Sequence, residues 1–127
     1  MKRIIVDFIE QKDQRYETVG DYGETGEEIW FKITDFPGKP AYSIAILLHE
    51  LTEFYRNRQE GISVEDVDAF DLSHPELDDP GLSLEAPYHK AHMEADVIER
   101  AFIVFSKEDW TEYEKAIYNL FPEGDDQ

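Results

Sequence analysis

Apolar and polar positions alternate twice near the start of the chain. In residues 3–10 the side chains are largely β-branched and aromatic, and Ile4, Val6 and Phe8 fall on one face. In residues 28–35, Ile29, Phe31 and Ile33 stand opposite Trp30, Lys32 and Thr34. A period of two over such residues predicts strands. A short strand around Tyr16–Val19 would complete the set. The three glycines in residues 19–27 predict a turn. The expectation is a small N-terminal antiparallel sheet of two or three strands.

The pattern then changes. The run Phe36-Pro37-Gly38-Lys39-Pro40 breaks the sheet, and Pro40 suits the first turn of a helix. That helix is predicted from about Ala41 to Glu60, with Gly61 just past its end. Its first half is apolar on nearly every side (Ile44, Ala45, Ile46, Leu47, Leu48, Leu51, Phe54), which predicts burial all round. Ser63-x-x-Asp66 reads as a capping box for a short helix from Val64 to Leu72. Ser73 to Pro87, with three prolines and a glycine, reads as a loop. A third helix is expected from Tyr88 to Phe105, with Ala91, Ala95, Ile98, Ala101, Phe102 and Phe105 as its apolar stripe. A fourth is expected after Ser106-x-x-Asp109, burying Trp110, Tyr113, Ile117, Leu120 and Phe121, with residues 124–127 frayed. The fold class is therefore α+β: one domain over 1–127, a small sheet followed by three or four packed helices.

Composition narrows the chemistry. The chain has 127 residues, 41 % of them hydrophobic, with eight Phe, seven Tyr and two Trp, enough for a real core. It has no cysteine, which excludes disulfides, thiolate metal sites and a cysteine nucleophile. A transition-metal site must come from His, Asp and Glu. No apolar run is long enough for a helical membrane span, and no secretory leader is evident, so a cytoplasmic setting is expected. Thirty acids against twelve Lys and Arg give a net charge of −18. Phosphate contact needs a cationic face, so direct nucleic-acid or anionic-membrane binding is not expected. Between Val64 and Gly81 lie seven acids and no Lys or Arg.

The candidate chemistry sits on the first helix, in His49-Glu50-Leu51-Thr52-Glu53. His49 and Glu53 are one helical turn apart on one face. They can act as two metal ligands, and His92, on the third helix, can supply the third. Two imidazoles and a carboxylate are a catalytic zinc set that leaves one position open. Other divalent transition metals suit the same donors. Glu50 follows the first ligand directly, the place of the general base in H-E-x-x-H metallopeptidases. His89 is an alternative ligand or an outer partner, and Asp71 and Asp96 are outer acceptors that would orient an imidazole. In the plainer alternative, His49 hydrogen-bonds within the core and Glu53 faces solvent or Arg56. A magnesium site on Glu50-x-x-Glu53 and Glu65-x-x-Asp68 ranks below the histidine set, because Gly61 interrupts the helix hairpin it needs. No G-x-S-x-G elbow, glycine-rich phosphate loop or EF-hand spacing is present.

The motif order resembles small phage and prophage proteins. It runs Arg15-Tyr16-x-Thr18-Val19-Gly20-Asp21, Leu48-His49-Glu50-Leu51-x-Glu53, Val67-Asp68-Ala69-Phe70-Asp71 and Ala86-Pro87-Tyr88-x-x-x-His92, and closes on Ile98-Glu99. The likeness implies a mobile-element origin. More distantly, the chain is similar to short zincin-like peptidases, in which His49 and Glu50 match the first ligand and the base. Glu53 departs from that pattern, which expects a second histidine; His92 would supply it. The expected function is metal binding, with zinc first, and with metal-dependent hydrolysis as its reaction. The alternative is a non-enzymatic acidic phage protein that imitates DNA and occupies a basic host protein.

Overall fold

The computed structural model describes residues 2–121. Strands β1 (Arg3–Ile9), β2 (Gly20–Thr25) and β3 (Glu28–Thr34) form one sheet. Helices α1 (Pro40–Gln59), α2 (Val64–Ser73), α3 (His89–Phe105) and α4 (Trp110–Tyr118) follow. This is the expected α+β arrangement. The predicted fraying at 124–127 falls outside the described residues.

The sheet departs from expectation in two ways. The strand expected at Tyr16–Val19 lies instead at Gly20–Thr25, inside the stretch predicted to be a turn. Two of the three glycines there serve close packing. A Cβ on Gly20 would stand 2.7 Å from Glu50 Cγ, and one on Gly23 would stand 2.3 Å from the Trp30 ring. Only Gly26, with φ +62°, makes the hairpin turn. The second difference is direction. The strand order is β1-β3-β2, with β2 antiparallel to β3 but β1 parallel to it, so the sheet is mixed. β3 has the most apolar inner face: Ile29, Phe31 and Ile33 are each at most 2 % exposed. The central position, with neighbours on both sides, buries that face best.

α1 lies across the sheet and along α3. Tyr22, Phe31 and Phe54 meet edge-on or tilted at the centre of the core, with ring centroids 5.7–6.1 Å apart. Ile103 and Tyr113 close the core from α3 and α4. On the opposite face of the sheet Thr34 is buried as well, donating to Gln11 at 2.7 Å.

Helix starts and stops are largely as expected. The Ser63–Asp66 capping box is complete, and Gly61 follows α1 at φ +76°. α4 is capped by Asp109, which accepts from the Glu112 amide, whereas Ser106 closes α3. Burial on the helices differs more. Leu47, Leu48 and Leu51 on α1 are only half-buried. On α3 the buried positions are Ala91, His92, Ala95 and Ile103, while Ile98 and Phe105 are exposed. Of the expected stripe, Ala91 and Ala95 are buried and Ala101 and Phe102 partly so, and His92 is buried beside them.

Candidate metal centre

His49 and Glu53 project from α1 toward α3, where His92 meets them, and all three residues are buried. His49 Nε2 lies 3.3 Å from Glu53 Oε2 and 3.3 Å from His92 Nδ1. His92 Nδ1 lies 2.9 Å from Glu53 Oε2. The three atoms therefore form a small triangle. Bonds of 2.0–2.1 Å from a tetrahedral zinc imply donor separations of about 3.3 Å, so these residues could hold a metal ion.

The far side of each ring faces carboxylate. His49 Nδ1 is 2.8 Å from Glu99 Oε1 and 3.2 Å from Asp96 Oδ1. Neither oxygen lies along an N–H bond, so Nδ1 is a buried atom without an aligned hydrogen bond. His92 Nε2 is 3.2 Å from Asp79 Oδ1. The Asp79 acceptor on His92 Nε2 favours, for a neutral ring, the tautomer that leaves the Nδ1 lone pair turned to the common centre. Glu53 is divided in the same way. Its Oε1 accepts from the Tyr22 hydroxyl at 3.0 Å, and Tyr22 accepts from Asn57 Nδ2 at 3.3 Å. That leaves Oε2 to the centre.

A backbone feature seats His92. A Cβ on Gly81 would stand 2.3 Å from the imidazole Cγ, so the ring lies flush against the turn at Pro80–Leu82. His89 Nδ1 fastens the same turn, 2.8 Å from the Gly81 carbonyl. His89 is thus kept from the triangle and positions the loop instead. Asp71 is also elsewhere: its carboxylate accepts from Tyr88 Oη. Of the outer residues nominated from sequence, Asp96 alone reaches a site imidazole. Glu99, Asp79 and Tyr22 were not nominated. Glu99 lies seven positions beyond His92, on the helical face that also carries Asp96, a spacing that could have identified it. Asp79 comes from a loop and carried no such signal.

Glu50 Oε2 is 3.7 Å from His49 Nε2. A cavity of about 20 Å³ is lined by Glu50, Glu53, Tyr22 and Asp71, roughly the room one water needs. Arg15 braces this side, holding Asp21 at 2.7 Å and Asp68 at 3.0 Å. The larger cleft, about 210 Å³, lies farther along α1 and shares Tyr22 and Val67 with the small cavity. Glu50 and Glu53 line the small cavity, and neither lines the larger cleft.

The electrostatics separate the two α1 carboxyls. Burial pushes Glu50 up, and the charge on Glu53 adds to the effect. Burial would raise Glu53 too, but His49 and His92 outweigh it and hold Glu53 low. For His92, burial works against charge, yet Asp79 and Glu53 lift it to about 10. For His49, burial is likewise outweighed, by Asp96, Glu53 and Glu99. A histidine pKa raised from 6.5 to about 10 stabilises the fold fully below pH 6.5, and the contribution fades as pH climbs to 10. Chelator-treated protein should therefore lose thermal stability across that interval. Metal affinity should rise over the same interval as protons cease to compete. Melting curves with and without added zinc, from pH 6 to 10, check both signs.

No protein-family model matches the chain, and neither does any curated protein or solved structure. Among the described residues, no helix is long and apolar enough to cross a membrane.

Proposed function

We propose that this protein binds zinc through His49, Glu53 and His92 and uses the centre for hydrolysis of an amide or peptide bond. The observation that carries the reading is the triangle of inner donor atoms at 2.9–3.3 Å, with a carboxylate behind each imidazole. Two imidazoles and one carboxylate leave a coordination position open, as catalytic zinc sites do. Bound zinc would supply Lewis acidity, polarising a carbonyl and making an oxygen nucleophile available near neutral pH.

The residues supply the rest. Glu50 borders the small cavity and has a carboxyl that burial makes more basic, so it takes the proton from attacking water and returns it to the leaving nitrogen. Tyr22 fixes Glu53, Asp79 fixes the His92 ring, and Glu99 sets a negative charge against His49 Nδ1. The resemblance of the motif order to that of small phage and prophage proteins is the ground for placing this activity in a mobile-element setting.

Elemental analysis of protein purified without a histidine tag tests the centre. A panel of quenched fluorescent peptides tests the reaction. Glu50→Gln should keep its zinc and lose hydrolysis by roughly 10²–10⁴-fold. Zinc without hydrolysis in the wild type would remove the reaction from the proposal and leave the centre. Absence of any divalent metal would remove both.

A further inference from the structure

β1 is an edge strand of seven residues, and among the described residues no strand pairs with its other side. Ile4 and Phe8, on the face shared with the core, are each 45 % exposed. Long apolar edges are unusual in isolated folded chains, which blunt them with charge, proline or a covering element. Residues 2–9 carry only Lys2, Arg3 and Asp7 as charges, so this edge escapes the acidity that would drive two copies of the chain apart.

The register across the sheet indicates what fits there. On the face away from α1, Asp21, Lys32 and Asp7 lie in one cross-strand row. Arg3 lies beside Glu28 in another, and the two form an ion pair. Charges thus alternate along each row and end, at the open edge, on Asp7 in one and Arg3 in the other. Between them runs an uncharged row of Gly23, Trp30 and Ile5.

We propose that β1 pairs antiparallel with β1 of a second copy of this chain, about a two-fold axis at Ile5, to form a continuous six-stranded sheet. In this register each Asp7 faces the partner's Arg3. The row Asp21–Lys32–Asp7 continues into Arg3 and Glu28 of the other copy with its alternation of sign unbroken. Ile5 meets its own counterpart, extending the uncharged row. On the core face Ile4 lies beside the partner's Val6, and Phe8 covers the stem of the partner's Lys2. Cross-strand opposite charges and β-branched pairs are favourable units of sheet pairing, and a two-fold axis makes each contact twice.

Light scattering after gel filtration at 150 mM salt tests this. The wild-type chain should run at about 30 kDa, twice its 14.9 kDa mass. Asp7→Arg places two cations on each edge, and Arg3→Asp places two anions. Each variant alone should run at the single-chain mass with its fold retained, since both positions are exposed. Mixing the two variants should restore the doubled mass, because one edge then offers two cations to the other's two anions. A wild-type chain that stays monomeric up to hundreds of micromolar overturns the proposal. So does a dimer that survives either single reversal, or a mixture that does not recover it. None of these outcomes depends on the metal centre.

Discussion

Replacing His49 by Ala should empty the centre. Wild-type protein, purified without a tag and dialysed against metal-free buffer, is expected to retain roughly one zinc per chain. The variant should bind zinc weaker by about a hundredfold or more, beyond the 10–100-fold typical of lost outer partners. The reason is geometric. His49 is the only residue common to both groups of donors that could hold an ion, His49–Glu53–His92 and His49–Asp96–Glu99, among the described residues. Its removal also leaves Glu53, Asp96 and Glu99 without the imidazole between them, so a lower melting temperature is expected too. Helical structure should survive, because alanine is the best helix former. His49→Gln, which keeps a polar side chain, separates the loss of a ligand from the loss of packing. Inductively coupled plasma measurement and circular dichroism on the same samples read both. Zinc retained at the wild-type level in either variant would rule His49 out as a ligand.

The second large effect comes from a residue without a donor atom in its side chain. Gly81→Ala places a methyl group where the His92 ring now lies, 2.3 Å from Cγ. Ring and loop cannot both stay, so His92 should leave the triangle and zinc affinity should fall by roughly 10–100-fold, the range for misoriented ligands. Gly26→Ala and Gly38→Ala are the controls, because a Cβ there meets nothing within 4 Å. They should melt lower through backbone strain yet bind zinc like the wild type. If Gly81→Ala binds zinc normally, His92 does not need its present position and the three-donor triangle is incorrect.

The legible parts of this molecule were those set by local chemistry. The α1 boundaries follow from Pro40 and Gly61, the start of α2 from Ser63 and Asp66, and β3 from strict alternation of Ile29, Phe31 and Ile33. The convergence of His49, Glu53 and His92 was accessible because two residues share a helix face and the third lies on a partner helix. Misreadings arose where tertiary contact overruled local preference. Gly20 and Gly23 resembled turn residues, yet they make room for Glu50 and Trp30 within a strand. On α3 the expected stripe holds at Ala91 and Ala95 but not at Ile98 and Phe105, while Glu99 and, in part, Asp96 sit against His49, which hydrophobicity alone opposes. The parallel pairing of β1 with β3 had no local signal at all.

That pairing has a bearing on how the chain folds. β2 and β3 can zip together over a tight turn, closing a short loop at little entropic cost. β1 finds its place only after β3 exists, since Arg3 must reach Glu28 across the intervening hairpin. The earliest of these three strands in sequence is thus the last of them to dock, and its seat is a finished template. In the single-chain variants Asp7→Arg and Arg3→Asp, its amides should be the earliest in the sheet to exchange with deuterium, opening without disturbing the β2–β3 hairpin or the helix pair that carries the histidines.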